Sequence, residues 1–170
     1  IAMIFALIPM YNSTSAQDKG AFRIGFHTGY YFRAKAYSVG IYARYSIADW
    51  LNVEPGVNYM CKEKSTVDVY CDLQVLLEIT SFWHIFPIVG ISIHDIDTPP
   101  RPLEEMNPLI AESGLTMLDG WTPGINIGMG VYYDLSYRWR VSGQIKMLRR
   151  LPQGMHKSSI IMLCGIDYNF

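Results

Sequence analysis

The chain has 170 residues, of which half are hydrophobic and 17% are charged, and its formal net charge is −1. This composition excludes a disordered chain and offers no basic surface for nucleic acid. The sequence is rich in aromatic residues, with 12 Tyr, 7 Phe and 4 Trp. No apolar run approaches the ~20 residues that a membrane-spanning helix needs. A core-rich soluble β protein and a membrane β-barrel remain.

The first 16 residues differ from the rest of the chain. Residues 1–10 are apolar, and small polar residues follow as far as Gln17. This order is typical of a signal peptide cleaved before Gln17, although the basic start and the initial Met are missing, which indicates truncation upstream. The alternative is a buried N-terminal strand. We expect a signal peptide over 1–16 and one barrel domain over 17–170.

After Gln17, apolar residues recur at every second position in eight segments. A period of two is the pattern of a β-strand with two different faces, and no segment shows the pattern of an amphipathic helix. The predicted fold class is therefore all-β. The predicted strands cover 22–30, 37–47, 51–59, 67–79, 84–94, 123–133, 138–149 and 158–170.

The connections between these strands are of two kinds. In an antiparallel up-and-down topology they alternate between the two ends of the sheet, so we expect tight turns at one end and longer loops at the other. A structureless loop as long as 95–120 is uncommon unless it is functional or disordered. The short connections lie at 48–50, 80–82 and 134–136, and the longer ones near 33–36, 62–65, 95–120 and 151–157.

The residues between the apolar positions distinguish a soluble barrel from a membrane barrel. The water-facing side of a soluble β protein should be rich in Lys, Glu and Thr, but here it holds many glycines and scattered charges. Glycine packs poorly in a strand, yet it makes room for large neighbours in a lumen that eight strands leave just wide enough for side chains. Closure also removes unpaired edges, which lipid does not tolerate. We predict a closed antiparallel up-and-down transmembrane β-barrel of about eight strands.

Aromatic residues collect at the ends of the predicted strands. Two aromatic bands around an aliphatic belt are typical of an outer-membrane barrel. Ordinary core aromatics, the alternative, have no reason to collect there. Near the short turns we predict an aromatic girdle of Trp50, Trp83, Trp139, Tyr168 and Phe170, and near the long loops a second band of Tyr30, Tyr37, Tyr59 and Trp121.

Charged residues of both signs lie on the predicted inner face. Because a buried charge is costly unless it is paired, we expect them to neutralise one another in a structural network that fills the lumen. The alternative is a polar conduit, for which eight strands are narrow. The predicted network contains Arg23, Arg44, Glu54, Asp68, Asp72, Glu78, Arg138, Arg140, Lys146 and Asp167.

Three segments and the C-terminus carry a resemblance to a known family. They are Phe22–Gly25, Leu51–Tyr59, Gly124–Tyr133 and the terminal Tyr168-Asn169-Phe170. In these motifs residues 17–170 resemble the small outer-membrane β-barrel domain family common in Bacteroidetes, the porin family or PorT-like proteins. The resemblance implies an integral protein of a Gram-negative outer membrane, with short periplasmic turns and long external loops. It also implies contact with lipopolysaccharide and, through the terminal aromatic signal, with the barrel-assembly machinery.

The sequence contains no pattern that indicates an enzyme, a cofactor or a metal. Its four histidines have no zinc-site spacing, and it has no phosphate loop or nucleophile elbow. The only candidate pair for a lipid-modifying barrel enzyme is Ser92 with His94, which share a face. We therefore expect no catalytic activity, no cofactor and no bound metal.

Three functional readings remain open besides that enzyme. The first is a structural or adhesive barrel whose external loops, above all 97–118, meet a protein partner. The second is a porin-like or secretion-accessory subunit of an outer-membrane complex, and the third is a soluble lipocalin-like binder. Cys61 and Cys71 pair only if they face each other across a hairpin.

Overall fold

A closed β-barrel forms the described part of the chain. The computed structural model describes residues 19–61, 66–95, 121–150 and 158–170. Each strand pairs with its neighbours in antiparallel fashion, and β4 also pairs with β6, which closes the sheet. The strands are β1 Phe22–Tyr31, β2 Ala36–Ala48, β3 Leu51–Cys61, β4 Thr66–Val75, β5 Leu77–Thr80, β6 Trp83–Asp95, β7 Trp121–Asp134, β8 Trp139–Arg150 and β9 Ser158–Asn169.

Strands β4 and β5 together form one strand of the barrel. The pairs Gln74–Ile88 and Leu77–Ile85 follow the same register, and the two residues between them, Val75 and Leu76, are left out of the ladder with β6. Pro87 on β6 lies opposite this interruption and has no amide hydrogen to donate to a ladder. The barrel therefore has eight strands, as predicted, and the fourth is interrupted once.

The two ends of the barrel differ in their connections. At one end, here called the turn end, residues 49–50, 81–82 and 135–138 join the strands. The described chain also begins and finishes there, because the amide of Gly20 donates to the Ser46 carbonyl at 2.9 Å and that of Phe170 to the Phe22 carbonyl at 3.3 Å.

The other end, here called the loop end, carries the remaining connections. Residues 32–35 form a four-residue turn. The predicted loops 62–65 and 151–157, and 96–120 within the longest one, lie outside the described residues, as does the predicted signal peptide.

The two faces of the wall are inverted relative to those of a soluble protein. On β2, Val39 and Ile41 point outward and are exposed, whereas Ser38 and Arg44 point inward and are buried. The same alternation runs around the whole barrel. Large apolar side chains on the outside and polar ones within are the pattern of a lipid-facing barrel. No helix among the described residues is long and apolar enough to cross a bilayer.

Glycines on the inner face make room for aromatic rings on the neighbouring strand. Gly25 lies directly opposite Tyr42, and Gly56 lies opposite Tyr70. A Cβ atom at either glycine would collide with that ring. The rings therefore lie flat against the barrel wall, which is how a narrow lumen holds side chains of this size.

Two apolar clusters pack inside the lumen. Tyr31, Met60, Leu148, Ile161 and Leu163 form one cluster near the loop end. The second cluster contains Leu76 between β4 and β5, Phe86 and Ile88 on β6, and Tyr132 on β7. The rest of the buried lumen is mostly polar.

The three cysteines are free and point outward. Cys71 is paired in register with Pro55 on β3, so Cys61 does not face it across the hairpin. The condition for a Cys61–Cys71 disulfide is therefore not met.

Candidate functional site: the polar lumen

Arg44 is the centre of an ion-pair network that joins three strands. Its Nη2 lies 2.5 Å from Glu54 Oε2, and its Nη1 lies 2.6 Å from Asp167 Oδ2. The side chains of Arg44 and Glu54 have no exposed surface. The pair with Glu54 joins β2 to β3, and the pair with Asp167 reaches past β1 to β9. Removing one partner would be costly, because it would leave a buried charge unpaired.

Aromatic rings complete the surroundings of Arg44. The guanidinium carbon lies 4.3 Å from the centre of the Tyr132 ring and 5.0 Å from that of Tyr42. The Tyr42 hydroxyl donates to Asp167 Oδ2 at 3.1 Å. These contacts supply cation–π attraction in a place that water does not reach.

Lys146 extends the network toward β4. Its Nζ lies 2.5 Å from Asp72 Oδ2 and 4.0 Å from Glu54 Oε1. The same ammonium group lies 4.2 Å from the centre of the Tyr70 ring. Gln144, which lies two residues before Lys146 on β8, donates to Glu54 Oε1 at 3.4 Å. The lumen charges are thus paired across the bore.

Ser92, His94 and Asp68 form a contiguous polar group nearer the loop end. Ser92 Oγ lies 3.1 Å from His94 Nε2, and His94 Nδ1 lies 3.2 Å from Asp68 Oδ1. The sequence pointed to Ser92 with His94 and placed Asp68 on the inner face, but it did not join Asp68 to the pair. Asp68 joins them because it is the cross-strand partner of His94, and only the register reveals that.

The hydrogen-bond directions in this group differ from those of a nucleophilic triad. The Asn126 amide nitrogen donates to Asp72 Oδ1 at 3.0 Å, which leaves its Oδ1 to accept from the Ser92 hydroxyl at 3.1 Å. The Ser92 proton is therefore directed to Asn126, whereas a triad requires it to be directed to the histidine. This arrangement favours a structural role for the group.

Further hydrogen bonds anchor Asp68 at the loop end. Its Oδ2 accepts from the Tyr31 hydroxyl at 2.7 Å and from the Asn58 amide at 3.2 Å. Asn58 is in turn hydrogen-bonded to the ring of His27. The polar network consequently reaches from the middle of the lumen to the apolar cluster near the loop end.

A second group of charges lies at the turn end. Arg140 contacts both carboxylate oxygens of Asp134, at 2.5 and 3.0 Å. His84 Nδ1 lies 3.5 Å from Asp134 Oδ2, and half-buried Glu78 is the cross-strand partner of His84. Arg23, near the same end on β1, lies 3.7 Å from Asp167 and so belongs to the Arg44 network. Asp134 and the histidines were not among the predicted network residues.

Arg138 does not belong to the lumen, and its predicted place in the network is wrong. It is exposed in the 135–138 connection and donates to the hydroxyl of Tyr168 at 3.1 Å. The alternation of faces ends with β7 at Asp134 and resumes at Trp139. Between them, an odd or even position does not predict the direction of a side chain. The structure places the other predicted network residues on the inner face.

The predicted girdle residues lie on the outside of the turn end. Trp83 packs against Tyr133 with ring centres 4.8 Å apart, and Trp139 packs against Tyr168 at 5.0 Å. All of these rings are exposed or half-buried. Trp50 and Phe170 are likewise exposed at this end. Aromatic side chains at this level are suited to a membrane–water interface.

Comparison with solved structures identifies the fold. The N-terminal barrel domain of OprF from Pseudomonas aeruginosa has a TM-score of 0.68 and 14% identity, over 91% of this chain and all of that one. Neisserial surface protein A has a TM-score of 0.55 and 12% identity, over 88% and 95% of the two chains.

A third structure shows that the fold needs no shared ancestry. A de novo designed transmembrane β-barrel has a TM-score of 0.59 and 12% identity, over 91% and 98% of the two chains. This fold is a small outer-membrane β-barrel. The sequence matches no protein-family model, and comparison with curated proteins found no match.

Proposed function

We propose that this protein is a small integral barrel of a Gram-negative outer membrane with a structural or partner-binding role. The observation that carries the proposal is the inversion of the wall. Ile41 and Ile91 point outward with 64% and 67% of their surfaces exposed, while Arg44 is fully buried in the lumen. Such a surface requires an apolar solvent. The fold of OprF and Neisserial surface protein A supports the same location.

Membership of the Bacteroidetes porin or PorT-like family is part of this proposal. The motifs that carry the resemblance, Phe22–Gly25, Leu51–Tyr59 and Gly124–Tyr133, lie on β1, β3 and β7. Export requires a signal peptide, for which we propose residues 1–16. The terminal Tyr168 and Phe170 rings pack at 5.2 Å on the outer surface, where the barrel-assembly machinery can bind them.

Heat-modifiable gel mobility of the membrane fraction tests the proposal. A barrel that remains folded in detergent without boiling migrates differently from the boiled chain. We expect that shift, and we expect the mass of the mature protein to be that of a chain beginning at Gln17. A chain that stays soluble without detergent and shows no shift contradicts a membrane barrel.

Cysteine labelling tests which face meets the lipid. Cys164 lies outward between Thr28 and Gly143, in the middle of the apolar belt. In a variant in which Cys61 and Cys71 are serine, we expect a charged, water-soluble maleimide to leave Cys164 unlabelled in vesicles and to label it fully after unfolding. A soluble fold would expose Cys164 to water, and rapid labelling of the folded protein would contradict the lipid-facing belt.

The external partner is proposed at residues 97–118, which lie outside the described structure. A pulldown from detergent-solubilised membranes, with and without this segment, tests the site. We expect the full chain to retain a partner that the deletion variant loses, while both retain heat-modifiable mobility. Recovery of the same proteins by both forms would contradict a partner site in this segment.

A porin-like role is the second candidate, and the described lumen argues against it. Arg44, Phe86 and Tyr132 are fully buried inside the bore, where they occupy the cross-section that a solute would need. We therefore expect no conductance steps in planar bilayers. Regular steps would instead support a pore or a secretion-accessory subunit.

Enzymatic activity is not part of the proposal. The Ser92 hydroxyl donates its hydrogen bond to Asn126, whereas a nucleophilic serine must deliver its proton to the histidine. This direction supports leaving enzymatic activity out. Replacing Ser92 by Ala is expected to leave the lipid profile of the membrane unchanged. A changed profile with intact folding would revive the lipid-modifying enzyme.

A further inference from the structure

Among the residues that the structure describes at the loop end, the exposed basic side chains lie on one side of the barrel. Arg33 and Lys35 lie in the β1–β2 connection, and Arg149 lies near the end of β8; all three are exposed. Strands β3 to β7 contain no Lys or Arg. Arg33, Lys35 and Arg149 are here called the basic rim.

The members of the basic rim lie close together through β9. Arg33 Nη1 donates to the carbonyl of Ser158 at 3.3 Å. Ser158 is in turn the cross-strand partner of Arg149, and directly opposed strand residues lie about 5 Å apart. The rim therefore presents its positive charge along four adjacent strands, β2, β1, β9 and β8.

Lys35 occupies its position in an unusual backbone conformation. Its φ angle is +49°, in the left-handed region that favours glycine. A lysine in this conformation extends the basic rim at a position where glycine would relieve the backbone. The observation is consistent with a use for the ammonium group at this place.

Below the basic rim the outer wall is apolar and aromatic. Tyr30 packs edge-on against Phe32 at 5.2 Å and against Tyr37 at 5.1 Å. Phe32 and Tyr37 are exposed, and Tyr37 has 70% of its surface free. On the neighbouring strands the exposed aliphatic residues are Met147, Ile160 and Met162.

We propose that this sector binds a phosphorylated glycolipid of the lipid A type from the outer leaflet. The basic rim would contact its phosphate groups, and the aromatic and aliphatic wall below would contact its acyl chains. Arginine and lysine bind phosphate oxygens by charge-assisted hydrogen bonds, and the rim lies at the level where headgroups meet the aromatic band. The inference rests on the proposed outer-membrane location with the loop end outside.

Native mass spectrometry of the detergent-solubilised full chain, titrated with diphosphoryl lipid A, tests the site. Each cationic contact contributes about a fivefold gain in affinity, so the variant R33Q/K35Q/R149Q is expected to bind about a hundredfold more weakly. The control R138Q removes an exposed positive charge at the turn end and is expected to bind like the wild type. Equal binding by the triple variant would overturn the proposal.

Two further ligands distinguish the source of the phosphate. Phosphatidylglycerol is expected to bind more weakly than lipid A, and inorganic phosphate at millimolar concentration is expected not to displace lipid A. Equal affinity for phosphatidylglycerol, or displacement by free phosphate, would overturn the assignment to a glycolipid.

Heat-modifiable mobility of each variant separates loss of binding from loss of folding. If the triple variant does not fold, R149Q alone is expected to weaken binding about fivefold, and unchanged binding would overturn the proposal. A folded barrel that binds no lipid A contradicts this inference but leaves the location intact. Absence of the chain from the outer-membrane fraction contradicts the location itself.

Discussion

Replacing Arg44 by Met is expected to lower the free energy of unfolding by about 3–5 kcal/mol, the cost of leaving buried charges without their partner. The side chain pairs with Glu54 at 2.5 Å and with Asp167 at 2.6 Å. Methionine fills a similar volume but supplies no charge, so two carboxylates would lose their strongest contact. Urea unfolding of the refolded barrel in detergent micelles or vesicles measures the change.

Two control variants separate the effect of charge from that of packing. Arg138→Met removes an exposed arginine and is expected to change stability by less than about 0.5 kcal/mol. The variant R44M/E54Q/D167N removes the stranded charges together with the arginine and is expected to regain part of the loss. A loss below about 1 kcal/mol for R44M alone would contradict the central place of Arg44 in the network.

Replacing Gly56 by Val is expected to cost about 1–3 kcal/mol through overpacking. A Cβ atom at Gly56 would lie 2.5 Å from both Cζ and Oη of Tyr70, and its three nearest atoms all belong to that side chain. The Tyr70 ring would have to move away from the barrel wall. It would then lose its contact with Lys146, whose Nζ lies 4.2 Å from the ring centre. The same unfolding experiment measures the loss.

An outward-facing glycine provides the matched control. A Cβ at Gly143 would meet only Val131 Cγ1, at 3.8 Å, so Gly143→Val is expected to be neutral or slightly stabilising, because valine favours strands. The double variant G56V/Y70A is expected to cost less than the sum of its single changes, since the collision disappears with the ring. Additive losses would show that Tyr70 is not what the glycine accommodates.

Which side chains of each strand point into the lumen and which point outward could be predicted, because this depends on local sequence. Successive residues of a strand point to opposite sides, so the placement of Ser38 and Arg44 inside and of Val39 and Ile41 outside required only the period of two. Rejecting a soluble protein required one more step, from the glycines opposite the apolar face. The parity of Arg138 failed because it lies in a turn, where no strand geometry holds.

The partners of the buried charges could not be predicted in this way. Arg44 contacts Glu54, 10 residues away, but also Asp167, 123 residues away. Asp68 joins His94 through the β4–β6 pairing that closes the barrel. These contacts between residues far apart in the sequence arise from strand register and barrel closure, which depend on all the strands together. The sequence alone determined which side chains face the lumen and which face lipid, because alternation is a property of each strand. Only the tertiary structure decided which charges meet across the bore, because that depends on how the strands are aligned around it.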